Sequence, residues 1–241
     1  MWGYFVDLVL LFALYSFAGW VLETTYASIS ARKFINRGFL SGPFCPIYGF
    51  GAVIITQTFA FLSHMLGMHR LSLFFTVALS ILLTTILEYI TGFLLEKIFN
   101  CKWWDYSDEF LNIHGRICLK FSLLWGVLAY ILISVLQPLV VRKLALLPYM
   151  YKNVLAFILI GYFIFDTIKS SLDALGLKQA VFAYYKNPVE KTYEQIIKYK
   201  RILMAVPKLS FLYIGKMNQE IRGFLYENFE KIKTQLKGRE R

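Results

Sequence analysis

Charge is scarce in this chain: of 241 residues, 17% are Asp, Glu, Lys or Arg, where soluble domains carry about 25%. With 58% of the residues apolar, that shortage excludes a water-soluble enzyme and a disordered regulator alike. Cysteine is scarce too. Cys45, Cys101 and Cys118 are the three present, and no Cys-Xaa2-Cys pair exists. Zinc needs three or four convergent ligands, so Cys45, Cys101, His114 and Cys118 predict no metal site, no thiol nucleophile with its base and no disulfide framework. No cofactor is expected. The Gly-Xaa4-Gly-Lys-Ser/Thr phosphate loop is missing, so the chain cannot itself supply an ATPase. No Lys or Arg precedes the first apolar run; a cleavable secretory signal would carry them there, and the run is expected to remain as a span.

What the chain has is long apolar runs, against the roughly 20 residues needed to cross a bilayer. Residues 3–22 are interrupted only by Asp7, and 47–66 hold only His64 near the end. Residues 71–87 continue past Glu88 to Leu95, and 121–141 contain no charge. The fifth run, 149–172, encloses Lys152, Asp166 and Lys169, which leaves open a helix lying in the interface. None of the runs alternates as a barrel wall must. The expected fold is all-α: a polytopic membrane helix bundle of about five transmembrane helices with a basic helical C-terminal tail.

Basic residues set the orientation. Arg32, Lys33 and Arg37 fall in the first connection, Lys97, Lys102 and Arg116 in the third, and fourteen Lys and Arg after Leu172. The other side holds Arg70, Arg142, Lys143 and Lys152. The positive-inside rule therefore predicts the N-terminus outside and the C-terminus cytoplasmic. Residues 1–173, the expected transmembrane domain, carry a net charge of +3, and residues 174–241, the expected tail, carry +8. In the tail Ile214, Met217, Ile221, Phe224, Leu225, Phe229, Ile232 and Leu236 recur at helical spacing. A basic helix with such a stripe suits an anionic cytoplasmic leaflet or a protein contact; no nucleic-acid-binding motif is present. Pro188 and Pro207 divide it.

Charges inside spans cost about 2.5–3.5 kcal/mol near a helix centre, so their depth is informative. Glu23 closes the first span, Glu88 lies about 10 Å of helix before Leu95, and Asp166 has a similar depth in the fifth run. Glu88, Gly92 and Glu96 share one helix face; Asp166, Lys169 and Asp173 share another, where the Lys can neutralise its neighbours. The first connection, from Asn36-Arg37-Gly38 to Cys45-Pro46, can dip into the membrane if protein surrounds its backbone. The third carries Trp103-Trp104-Asp105-Tyr106 and Asn112-Ile113-His114-Gly115-Arg116. Arg37 and Arg116 are expected near Glu23, Glu88 and Asp105. Two readings fit: structural ion pairs, or a polar cytoplasmic site of Glu23, Asn36, Arg37, Glu88, Glu96, Asp105, Tyr106, Asn112 and Arg116.

Several of these stretches resemble a known family. Gly19-Trp20 with Glu23, Asn36 to Leu40, Cys45 to Gly49, Leu87-Glu88-Tyr89, Leu95-Glu96, Trp103 to Ser107, and Gly115 to Leu119 followed by Trp125-Gly126 are similar to the bacterial family labelled putative ABC-transporter type IV permeases. The likeness covers roughly residues 15–130. Leu111 and His114 depart from its motif, where Phe and a variable residue are expected. The resemblance implies a permease in a bacterial cytoplasmic membrane with a separate nucleotide-binding ATPase subunit; five or six helices per chain would suffice for a pathway if the chain forms a homodimer. A membrane-embedded enzyme acting on a lipid or lipid-linked substrate, and a membrane scaffold or regulatory protein, are the alternatives.

Overall fold

A computed structural model describes residues 2–66, 69–186, 195–206 and 209–211. The amphipathic stripe from Ile214 to Leu236, together with Pro188 and Pro207, lies outside them. The described elements are α1 (Trp2–Ala31), α2 (Pro46–Leu66), α3 (His69–Phe99), β1 (Cys101–Lys102), α4 (Leu119–Ile131), a π-helical turn (Leu132–Leu136), α5 (Gln137–Ala145), α6 (Tyr149–Lys186), α7 (Lys200–Ala205) and β2 (Ser210–Phe211).

Five helices are long and apolar enough to cross a membrane: Trp2–Ala31, Pro46–Leu66, Ser72–Phe99, Leu119–Ala145 and Tyr149–Tyr184. The fourth is α4, the π-turn and α5 running on as one. Pro138 has no backbone N–H to give to the helix, and the π-turn absorbs the disturbance just before it. The bundle is turned inside out relative to a soluble protein. Phe61, Phe74, Phe157 and Phe165 are exposed, whereas Ser72, Thr76, Ser80, Thr84 and Glu88, each four residues after the last, are buried along one face of α3. Small polar side chains at that spacing let helices approach closely where no hydrophobic force separates protein from lipid.

The first four spans pack each against the next, and α6 returns to α1. There Trp2 Nε1 donates to Asn153 Oδ1 over 3.1 Å, Asp7 and Lys152 are 2.9 Å apart, and the Phe12 and Phe163 ring centroids are separated by 5.1 Å. From Gly3 beside Tyr149 through Asp7 beside Lys152 to Phe12 beside Phe163, residue numbers rise together along both helices, so the first and fifth spans are parallel, as an odd number of crossings requires. Lys152 in the fifth run is thereby neutralised by Asp7, and lengthwise packing against α1 makes α6 a bundle member rather than an interfacial helix.

At 38 residues, α6 is about 57 Å long by helical rise, well beyond the roughly 30 Å apolar core of a bilayer. Its course is continuous through residues 173 and 174. Ala174, Leu177, Ala180 and Val181 on the protruding part join Phe99, Cys101, Trp103, Ile196, Ile202, Ala205, Val206 and Leu209 in a core at one end of the bundle. The two-residue antiparallel pair of β1 with β2, Cys101 opposite Phe211 and Lys102 opposite Ser210, ties the chain after α7 to the third connection. This end cap supplies part of the wall of the site.

Candidate functional site

The first connection folds back onto the helices rather than away from them. Asp166 of α6, only 3% exposed, accepts from the backbone N–H of Ser41 (3.0 Å) and Gly42 (2.9 Å), from the Tyr162 hydroxyl (3.1 Å) and from Ser170 Oγ (3.2 Å). Buried loop amides need such acceptors. A Cβ at Gly42 would run into the Tyr162 hydroxyl, so only glycine permits this approach. Lys169, expected to neutralise Asp166, is exposed; the loop amides stabilise the carboxylate instead. From the far end of the chain, Arg201 donates to the carbonyls of Leu40 (2.9 Å) and Phe39 (3.2 Å).

The loop and the end cap enclose a cavity of about 380 Å³ between α1, α2, α3 and α4. Its wall includes Glu23, Arg37, Tyr48, Glu88, Tyr106 and Trp125, with Trp103 and Trp104 above and Ala205 and Val206 from the end of α7. Glu23 receives the Tyr48 hydroxyl at 2.7 Å and lies 3.4 Å from Arg37 Nη2. Arg37 also donates through Nη1 to the Ala205 carbonyl at 2.5 Å, and its own N–H goes to Thr24 Oγ1 at 3.2 Å. Glu88 is 6% exposed. It accepts from Tyr106 on Oε1 and from Trp125 Nε1 on Oε2, each at 3.2 Å. Both donors are neutral, and among the described residues no cation is paired with Glu88.

Of the nine residues expected from sequence, Glu23, Arg37, Glu88 and Tyr106 line this cavity. The others build its surroundings. Asn36 accepts from Trp20 Nε1 at 2.6 Å and donates to the Ser41 carbonyl at 2.7 Å, folding the loop. Arg116 pairs with Glu96 at 2.8 Å, both side chains about 15% exposed, and lies over the rings of Tyr89 and Phe93. Of the expected placement of Arg37 and Arg116 near Glu23, Glu88 and Asp105, the Arg37–Glu23 pair is present, whereas Arg116 reaches Glu96 and Asp105 pairs with Lys102 at 3.2 Å. Glu96 lies two turns beyond Glu88 on α3, next to the loop where Arg116 sits. Asn112 bonds within the third connection, to the carbonyls of Ser107 and Glu109 and the N–H of Gly115.

Electrostatics outside the spans follow from these contacts. Burial pushes the Cys45 thiol up to about 12, with Glu23 adding to the effect and Arg37 opposing it. Cys45 is thus a poor nucleophile at neutral pH. Burial also raises Cys101 to about 12, and it raises the Tyr106 phenol, helped by the nearby Glu88. At Asp105 partial burial works upward, but hydrogen bonds from Ser107 and Lys102 outweigh it and hold the carboxyl below its ordinary value. Among the described residues no group of three His, Cys, Asp or Glu side chains is placed to hold a metal ion.

Sequence reasoning missed Tyr48 and Trp125 as cavity residues, although both fall in the stretches that carried the family resemblance. It also missed the return of Arg201, Ala205 and Val206, for which the local sequence gives no signal beyond a basic residue among apolar ones. No curated protein and no solved structure matches the chain. The family described as "Putative ABC-transporter type IV" matches residues 10–171, about two thirds of the chain and a range that includes the charged side chains of the cavity wall. Together with five membrane-spanning helices, that match makes the protein a membrane transporter component. The chain belongs to the putative ABC-transporter type IV family.

Proposed function

We propose that this chain is the permease subunit of a transporter in a bacterial cytoplasmic membrane, with the cavity around Glu88 as its substrate site opening at the cytoplasmic face. The observation that carries this reading is Glu88 itself: a carboxyl inside a span, walled into a cavity, with neutral donors only. A charge in a membrane span that merely held helices together would be expected to have an opposite charge beside it. The distribution of Lys and Arg supports the cavity end as the cytoplasmic one. The net positive charge of residues 174–241 then suits contact with the anionic leaflet.

ATP hydrolysis falls to a separate nucleotide-binding subunit, since this sequence has no phosphate loop. Five spans per chain make a homodimer the reasonable pathway-forming unit. The test is purification of the full chain in mild detergent with identification of what accompanies it. A nucleotide-binding ATPase is expected, and its hydrolysis in the complex should fall in Glu88→Gln and Arg37→Ala while the complex stays intact. A chain that purifies without an ATPase and turns over a lipid alone would replace this reading with the enzyme one.

A further inference from the structure

The geometry points to a small organic cation, an amine or quaternary ammonium with an apolar body, as the ligand of the Glu88 cavity. This rests on the cavity being a substrate site. Two observations on the cavity converge.

The first is a charge balance. Among the described residues, Arg37 on the wall is matched by Glu23, Lys102 by Asp105 and Arg116 by Glu96, while Arg201 gives its guanidinium to the Leu40 and Phe39 carbonyls. Of the charged groups on the wall, Glu23 and Arg37 cancel, and Glu88 remains. A buried carboxylate without a counter-charge is costly, and a ligand that brings one positive charge removes that cost. An anion would find no free guanidinium on the described wall, since Arg37 is engaged by Glu23 and by the Ala205 carbonyl.

The second is the composition of the wall. Tyr48, Tyr106, Trp103, Trp104 and Trp125 line the cavity, and of these Tyr106 and Trp125 touch the carboxyl. They are held in place by one another and by neighbouring rings: Tyr48 packs on Trp125 at 5.4 Å between centroids, Tyr106 stacks on Phe121 at 4.6 Å, and Trp103 meets Phe39 edge-on at 5.2 Å. Aromatic faces attract alkylammonium groups through their quadrupoles, Trp most strongly. A divalent metal ion would instead require six or more oxygens or a compact set of ligands, which this wall does not offer. The size also selects: about 380 Å³ lies at the lower end of the roughly 300–1,000 Å³ range of ligand pockets.

The experiment uses the full chain, in whatever assembly it purifies, titrated with choline and with phenyltrimethylammonium while tryptophan fluorescence is followed. Dimethylbutanol, the uncharged carbon isostere of choline, and isethionate, an anion of similar size, serve as comparisons. The cations should bind at least about tenfold more tightly than either. Glu88→Gln should remove that preference, and Leu128→Trp, which adds bulk to the wall without touching a charge, should weaken all binding. The preference in the unmodified chain decides the matter even where Glu88→Gln fails to fold. Equal affinity for choline and dimethylbutanol, or preference for isethionate, overturns the cation assignment and leaves the cavity as a site. Absence of binding by every probe also overturns it, while copurification with an ATPase tests the permease reading separately.

Discussion

The hydroxyl of Tyr106, on the third connection, donates to Oε1 of Glu88, on α3, across 3.2 Å. Trp125 Nε1 on α4 does the same for Oε2 at the same distance. Three separate parts of the chain thus meet at one carboxyl, and its two oxygens are served by different neighbours.

Removing either donor leaves a buried acceptor short of a partner. Tyr106→Phe and Trp125→Phe should each lower stability by about 1–3 kcal/mol, read as thermal unfolding of the detergent-purified chain. Because both act on one group, the double substitution should depart from the sum of the two singles. Strict additivity would mean that the two donors do not share Glu88.

Gly42→Ala should be destabilising by about 1–3 kcal/mol, since the new methyl group overpacks against Tyr162. Tyr162→Phe removes the hydroxyl that the methyl meets, so combining the two should recover part of the loss. No recovery in the double variant would place the cost elsewhere, in the loop backbone.

The thiols give a pH dependence with a definite sign. Cys45 and Cys101 are held near 12 in the fold against an ordinary value of 9.0. Below about pH 9 both states keep their protons and the thiols add no dependence. Above it the unfolded chain loses protons that the folded chain retains, so stability should fall between about pH 9 and 12. Cys45→Ala with Cys101→Ala should flatten that decline, as followed by thermal melts across alkaline pH.

Arg201 holds the first connection through the carbonyls of Phe39 and Leu40. Arg201→Ala should loosen that loop and speed alkylation of Cys45, which is 5% exposed, at a fixed pH. Peptide mapping of the labelled chain reads the rate at that one thiol; an unchanged rate would show that Asp166, Asn36 and Arg37 hold the loop without Arg201.

A reporter fused after Arg241 should read as cytoplasmic, and one placed before Trp2 as external. The parallel course of the first and fifth spans requires the two reporters to disagree. Agreement would remove a crossing from the bundle, whichever side they report.

Much of the helical organisation was legible because a bilayer imposes a simple rule. A helix must stay apolar for its whole crossing, so five runs were visible without any tertiary information. The rare charges were visible for the same reason. Their partners were not: Glu88 and Glu96 share a helix face in sequence, yet one meets two neutral donors and the other meets Arg116. Which of the two acquires a cation depends on where the third connection folds, and no spacing encodes that. The fifth run looked compromised by Lys152 and Asp166 because the residues that stabilise them, Asp7 and the Ser41 and Gly42 amides, are more than a hundred positions away.

The sequence by itself determined a membrane-spanning helical protein whose few intramembrane charges are worth locating, because apolar length and charge cost are local properties of a chain. The tertiary structure alone decided that Glu23, Arg37, Glu88 and Tyr106 share one cavity while Asn36, Glu96, Asp105, Asn112 and Arg116 support it. It also brought Arg201 and Ala205 back over the first connection. Convergence of that kind arises from packing between distant segments, where each buried polar group takes the nearest partner the fold supplies.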